Sequence, residues 1–246
     1  MRIFNYIYLK GDRYMKLSNR LLEIISFVPQ DSIVADIGTD HGYIPVYLIE
    51  QGISNRVIAT DISKKSLEKT IEYVRELGLE KNIDTRLGDG FKVIEEDEVD
   101  TAIIAGMGGI LIGDILEESV EVIDSITHFI FQPMVASSEL RRYLVKNGFQ
   151  IIDEGLARED DKFYEIIYAK RGKSSEIEEV NYEIGERLIE KKHPLLGGFI
   201  KYKIGLLDKI SEEIKYKDSL KSRNRYIEIQ KMRDSLQEVL SKIEGN

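Results

Sequence analysis

The residues with chemistry to offer stand at the ends of apolar runs. Asp36, Gly38, Asp40, His41 and Gly42 lie together in "DIGTDHG", which closes the β-branched stretch that starts at Ser32. A glycine at a strand end lets a ligand lie against the backbone. A dinucleotide would need the fuller Gly-x-Gly-x-x-Gly set and a helix N-terminus for its pyrophosphate, and that set is missing. Two aspartates in the same turn would also repel phosphates, so the turn suits a cationic or zwitterionic ligand. Asp61 closes "ATDIS", 23 residues after Gly38, where a carboxylate can accept both hydroxyls of a ribose. Asp89 in "LGDG" is placed to accept from an adenine amino group. S-adenosylmethionine has a sulfonium, an ammonium, a ribose, an adenine and no phosphate, and it fits this set. The cofactor residues expected are Asp36, Gly38, His41, Asp61, Ile62, Asp89, Gly90 and Gly106.

Two further strand ends face the same crevice. "AGMGG" (Ala105 to Gly109) puts three glycines in four residues, which means close approach by a ligand or by another backbone. "FQPM" offers Gln132 as donor and acceptor. Asp40, on the loop after Gly38, is either a reacting carboxylate or the N-cap of the next helix.

These residues need a parallel sheet to bring them together. From Ser32 to Arg171 short β-branched runs alternate with amphipathic segments, as stacked βα units do. The pattern predicts strands over 32–38, 56–62, 83–89, 99–107 and 127–133. It predicts helices over 43–51, 63–77, 109–119 and 137–147, with Ser63 as an N-cap. Two β runs, 149–156 and 163–170, follow with no helix between them and read as a hairpin. The fold expected is α/β: a doubly wound, Rossmann-like sheet whose last strand is inserted antiparallel. That ending separates methyltransferase-type sheets from the dehydrogenase type. In such a sheet the ligand lies at the carboxyl ends of the strands.

Beyond Ser174, Leu and Ile recur at helical spacing on both sides of the polar "KDSLKSRN". This predicts a coiled-coil-like antiparallel helical hairpin, with Ile204, Leu207, Ile210 and Ile214 on one helix and Ile227, Ile229, Met232, Leu236, Leu240 and Ile243 on the other. Pro194 and Gly197-Gly198 mark a break before it. At the other end, "MKLSNRLLEIISFV" reads as a complete helix from Met15. Residues 1–14 lack continuity with it, so translation is expected to start at Met15, which the intact mass of native protein tests. The domains expected are therefore 15–171 and 172–246.

Composition sets the outer limits. Of 246 residues 42% are hydrophobic and 32% charged, ordinary for a soluble protein with one full core and an appendage. There is no cysteine, and the three histidines, His41, His128 and His193, are far apart, so no metal site is expected. The longest apolar stretch, Ile103 to Gly113, is well short of the roughly 20 residues that span a bilayer, and a cytoplasmic protein without membrane contact is expected. The net charge of −9 is uneven: the first 171 residues carry 20 basic and 30 acidic side chains, the rest 15 and 14. The tail is the less repulsive half for a polyanion.

The motifs "LSNRLLEI", "DIGTDHGYIP", "ATDIS", "GDG", "GMGG", "FQPM" and "EIGERLIEKKHPLL" together resemble the bacterial TrmK family, from Met15 to the C-terminus. Its members are tRNA N1-adenine methyltransferases that modify adenine 22 in the D-arm. The resemblance implies a class I methyltransferase sheet, S-adenosylmethionine as donor, and a C-terminal helical pair that helps engage tRNA. Asp40 is then the expected catalytic carboxylate, accepting from the exocyclic amine as the ring becomes cationic. Met107, Gly108 and Gln132 would border the extruded base. Arg20 and the cluster Lys215, Lys217, Lys221, Arg223 and Arg225 would grip the RNA backbone. On the residues alone, a methyltransferase acting on a protein or small molecule, or a non-catalytic RNA-binding scaffold, stays open. Oligomeric state stays open as well.

Overall fold

The structure is a computed structural model and describes residues 5–9, 13–175, 177–217 and 219–245. The chain divides into two compact units, Met1–Glu176 and Ile177–Asn246.

The first unit opens with strands β1 (Asn5–Leu9) and β2 (Arg13–Leu17), paired antiparallel as a two-stranded sheet. Helix α1 (Asn19–Ser26) follows, capped by the Ser18 hydroxyl, which accepts from the Leu21 N–H. The helix expected from Met15 therefore starts four residues later: Met15 and Leu17 are strand residues whose side chains are buried, and the cap at Ser18 sets the boundary.

The main sheet comprises β3 (Ser32–Ile37), β4 (Ser54–Asp61), β5 (Ile83–Leu87), β6 (Thr101–Gly108), β7 (His128–Val135), β8 (Phe149–Glu159) and β9 (Lys162–Arg171), in the order β5-β4-β3-β6-β7-β9-β8. The first five are parallel. β9 is antiparallel to both β7 and β8, the inserted last strand expected of a methyltransferase-type sheet. β8 thus runs in the sense of β7, and its tip lies at the carboxyl edge.

Strand alternation builds two apolar layers. Ala35, Ile37, Ala102 and Ile104 face α4 (Gly109–Glu117), α5 (Val120–Ser125) and α6 (Ser137–Lys146), through Ile112, Leu116, Ile123, Leu140 and Leu144. Val34, Val57, Ala59, Ile103 and Ile130 face α1, α2 (Tyr43–Glu50) and α3 (Lys64–Leu77), through Ile24, Ile25, Val46, Leu48 and Val74. Fully burying one such side chain contributes about 1.5–3 kcal/mol, so the sheet that carries the strand ends is rigidly held.

The second unit has two short helices, α7 (Glu179–Ile184) and α8 (Glu186–Glu190), and two long ones, α9 (Leu196–Ile214) and α10 (Leu220–Glu244). Lys201–Glu244, Asp208–Arg233 and Ser211–Gln230 contacts show that the long pair is antiparallel. Ile204, Ile229, Leu236 and Leu240 are buried, whereas Ile210 and Ile227, expected to face inward, are exposed. α9 begins at Leu196, so Gly197 and Gly198 lie inside its first turn and do not form a break before it.

Candidate active site

The strand order reverses between β3 and β6, which are neighbours at the sheet centre. A crevice at such a switch point is where doubly wound sheets bind ligands. Gly38 (φ 76°) leaves β3 there, and a Cβ on it would collide with the Met107 methyl at the end of β6. The Gly38 and Thr39 N–H groups both donate to Thr60 O at 2.8 Å, tying the β3 loop to β4. Asp36, 4% exposed, lies under this loop. Burial pushes its carboxyl up to about 6; the Thr39 hydroxyl pulls it back, and Asp61 and Asp40 push it further. Among the described residues no cation pairs with this acid, and it fits the ammonium or sulfonium of S-adenosylmethionine.

After Thr39, His41 (φ 59°) and Gly42 (φ 69°) are both left-handed. A Cβ at Gly42 would stand 2.8 Å from Thr70 Cγ2, so the loop turns tightly against α3. Gly42, with no side-chain cap bond, is the N-cap of α2. Asp40 is therefore not the helix cap. Its side chain is 82% exposed, 3.3 Å from His41 Nε2. The same nitrogen is 3.5 Å from Lys69 Nζ, and the His41 ring stacks on Tyr43. The loop thus presents a solvent-facing carboxylate beside the crevice.

At the next strand ends, Asp61 accepts from the Ser63 N–H and Ile62 is 73% exposed. Parallel register sets Asp61 against Leu87, also exposed, so two apolar side chains flank the carboxylate where a flat ring could lie. Sequence reading overlooked Leu87; the β4/β5 register was the signal for it. Asp89 is held by Lys92 Nζ at 2.5 Å, and Lys92 also reaches Glu118 at 2.7 Å. Gly90 (φ 57°) turns the chain beside it against Ile115.

The glycines after β6 do different work. Register jumps from Ala105↔Gln132 to Met107↔Pro133, so Gly106 (φ 81°) is the extra residue of a bulge that re-aims Met107 toward Gly38. Gly109 starts α4 where a Cβ would collide with Ala136 O. Gly108 has ordinary φ and room for a side chain, 3.5 Å from Val135 Cγ2, so no close approach demands it.

Gln132 does not open onto the crevice as expected. It is 0% exposed; its Nε2 donates to Pro133 O at 2.9 Å and its Oε1 accepts from Arg20 Nη1 at 2.7 Å. Arg20 reaches it from the first turn of α1, whose start is fixed to the tip of β8 by Arg20 N–H donating to Glu159 Oε1 (2.8 Å) and Asn19 Nδ2 donating to Arg158 O (3.2 Å). Glu159 and Tyr164, which lies 5.7 Å under the guanidinium, were not picked out from the sequence. The parallel sense of β8 and β7 is what brings them to this edge.

In the second unit, Lys215 stands 3.6 Å from Glu212 and over the Tyr216 ring, and Arg225 is 3.2 Å from Glu228. Lys217, Lys221 and Arg223 are exposed around the same turn. Among the described residues no group of His, Cys, Asp or Glu could hold a metal ion, and no helix is long and apolar enough to cross a membrane.

Residues 17–167 match a family model described as a methyltransferase domain. The tRNA (adenine(22)-N(1))-methyltransferase of Bacillus subtilis is 36% identical over 158 residues, covering 64% of this chain and 66% of that protein, just under two thirds of its length. The solved structure of the B. subtilis M1A22 tRNA methyltransferase TrmK matches with a TM-score of 0.81 at 30% identity, over 92% of this chain and 99% of that one. M. capricolum TrmK, solved with the cofactor product S-adenosyl-homocysteine, matches with a TM-score of 0.78 at 28% identity, over 92% and 99%.

Proposed function

The chain belongs to the TrmK family of tRNA (adenine(22)-N(1))-methyltransferases, and on that premise we propose that it methylates N1 of adenine 22 in the D-arm of tRNA, using S-adenosylmethionine. The observation that carries this reading is the extent of the likeness: 99% of the TrmK chain is matched, so the likeness takes in the helical pair as well as the sheet. A small-molecule or protein methyltransferase sharing only the sheet would not be matched so far.

The crevice residues suit the cofactor: a buried acid at Asp36 with no cation beside it among the described residues, a side-chain-free Gly38 against the Met107 methyl, and carboxylates at Asp61 and Asp89 with Ile62 and Leu87 exposed nearby. When bound, S-adenosylmethionine supplies an electrophilic methyl group on a sulfonium. Adenine N1 already carries a lone pair, so no side chain has to remove a proton before attack. The product ring is cationic, and the useful protein group is a carboxylate that accepts from the exocyclic amine as charge grows. Asp40 is that group, on the loop beside Gly38 with its carboxylate facing outward. N1 lies on the pairing edge, so a paired adenine must leave its stack at a cost of a few kcal/mol; Met107, half-buried and turned toward Gly38 by the Gly106 bulge, offers a surface for it. The cations from Lys215 to Arg225 supply grip on the RNA backbone.

Asp40→Asn is expected to leave cofactor affinity unchanged and lower turnover about a hundredfold, the scale of losing one electrostatic partner of a transition state. Single-turnover methylation with a parallel cofactor titration measures both, and equal turnover would remove Asp40 from the mechanism. The function itself is tested by nucleoside analysis of unmodified tRNA after incubation with enzyme and cofactor. 1-Methyladenosine is expected; unmodified RNA alongside bound cofactor would point to another substrate.

A further inference from the structure

We propose that Arg20, held by Gln132 and Tyr164, is a phosphate-binding point that seats the RNA backbone next to the target adenosine; this rests on the tRNA reading above and specifies how the first unit holds that substrate. The guanidinium is half-buried at the carboxyl edge of the sheet. Its Nη1 donates to Gln132 Oε1 at 2.7 Å, and Tyr164 lies 5.7 Å beneath it. The same Nη1 is 3.8 Å from where a Gly106 Cβ would stand, which sets it against the bulge that carries Met107.

Its partners are neutral. Arg86, Arg141, Arg171 and Arg233 each meet a carboxylate within 2.8 Å, whereas among the described residues no carboxylate pairs with the Arg20 guanidinium. Glu159 sits close by but accepts from the Arg20 backbone N–H. Gln132 fixes the guanidinium in place without neutralising it, because its own Nε2 is committed to Pro133 O and so its oxygen must face Arg20. A glutamate there would cancel the arginine's charge, and its second oxygen, an acceptor, would face the Pro133 carbonyl in place of the amide donor. The arrangement keeps a full positive charge, with four of its five N–H donors outside the Gln132 bond, in a partly desolvated place.

A cation so placed could meet either the base or the backbone of the RNA, and the chemistry decides between them. The ring gains positive charge as N1 is methylated, so a guanidinium against it would raise the barrier. A phosphodiester oxygen pair matches both the charge and the planar donor fork. Gly106, with no side chain, leaves the approach open.

The test is tRNA binding measured against salt concentration for the full-length enzyme. Arg20→Gln is expected to weaken binding about tenfold at low salt and to flatten the log–log salt dependence by somewhat under one, the loss of one phosphate contact. The loss should be the same for tRNA whose adenine 22 is replaced. Gln132→Glu, which sets a negative charge against Arg20, is expected to flatten the slope equally and to lower the melting temperature, because two acceptors then face each other at Pro133. Melting temperature and cofactor affinity, unchanged in Arg20→Gln, exclude misfolding. An unaltered slope in Arg20→Gln with folding intact would overturn the assignment while leaving the methylation of tRNA standing. Wild-type enzyme that binds no tRNA at all would instead sink the functional reading.

Discussion

Asp36→Asn is expected to make the cofactor-free protein more stable at pH 7.5 and, at the same time, a poorer binder of S-adenosylmethionine. Burial pushes the Asp36 carboxyl from 3.8 up to about 6, so the folded state favours the protonated acid. The stability this confers is complete below about pH 4 and is lost as the pH rises through about 6. Above that, the folded protein carries a buried carboxylate at a cost of about 3 kcal/mol, from 1.36 kcal/mol per pKa unit. Asparagine has the same shape and no charge, and its amide needs partners of its own, so a gain of about 1–3 kcal/mol at pH 7.5 that vanishes near pH 4 is expected. Denaturant melts at the two pH values measure it. The cationic cofactor loses its counter-charge in the variant, and its affinity should fall by about tenfold or more. Wild-type affinity should also rise as the pH passes through about 6, and that dependence should disappear in Asp36→Asn. Equal stability of the two proteins at pH 7.5 would show that the carboxyl is not held out of its ordinary range.

Arg141→Met should be the most destabilising single change in the first unit. Arg141 is 0% exposed and lies between Glu154 (Nε to Oε1, 2.6 Å) and Glu165 (Nη2 to Oε2, 2.8 Å), with Ser137 Oγ donating to Glu165 at 2.8 Å. Both acids are buried, so removing the guanidinium takes the charge held within 2.8 Å away from two carboxylates in low dielectric. Breaking a buried pair in this way costs about 3–5 kcal/mol, even where the intact pair adds little net stability over an apolar replacement. Adding Glu154→Gln and Glu165→Gln removes the two buried negative charges and should recover much of the loss. Equilibrium denaturation of the single and triple variants tests this; a single-variant loss under 1 kcal/mol would refute it. The network also holds the first turn of α6 beside Ala136, whose carbonyl packs on Gly109, so the GMGG turn should loosen with it.

The legible parts of this protein were those encoded locally. Asp36, Asp61 and Asp89 each close a short β-branched run, and the alternation of runs and amphipathic segments places strand ends on one edge. The two β runs after Gly148, with no helix between them, announced the antiparallel ending. What escaped sequence reading depends on partners distant in the chain. Gln132 looked like an open donor and acceptor because Arg20, 112 residues away, takes its oxygen. Glu159 and Tyr164 had no motif and reach the crevice only through the sense of β8 and β9. The buried triad spans residues 141 to 165 on a helix and two strands, and no motif marks its charges. The helix start at Asn19 was misplaced because apolar Met15 and Leu17 fit helical and strand spacing alike, and only the Ser18 cap separates them. Ile210 and Ile227 fitted the helical period, yet a two-helix pair buries only a narrow seam of each helix.

The measurement that tests the account most directly is transfer of labelled methyl from S-adenosylmethionine to unmodified tRNA, run beside a tRNA whose adenine 22 is replaced. 1-Methyladenosine is expected in the first and no incorporation in the second. Equal incorporation into both, or none into either while the cofactor still binds, would contradict it.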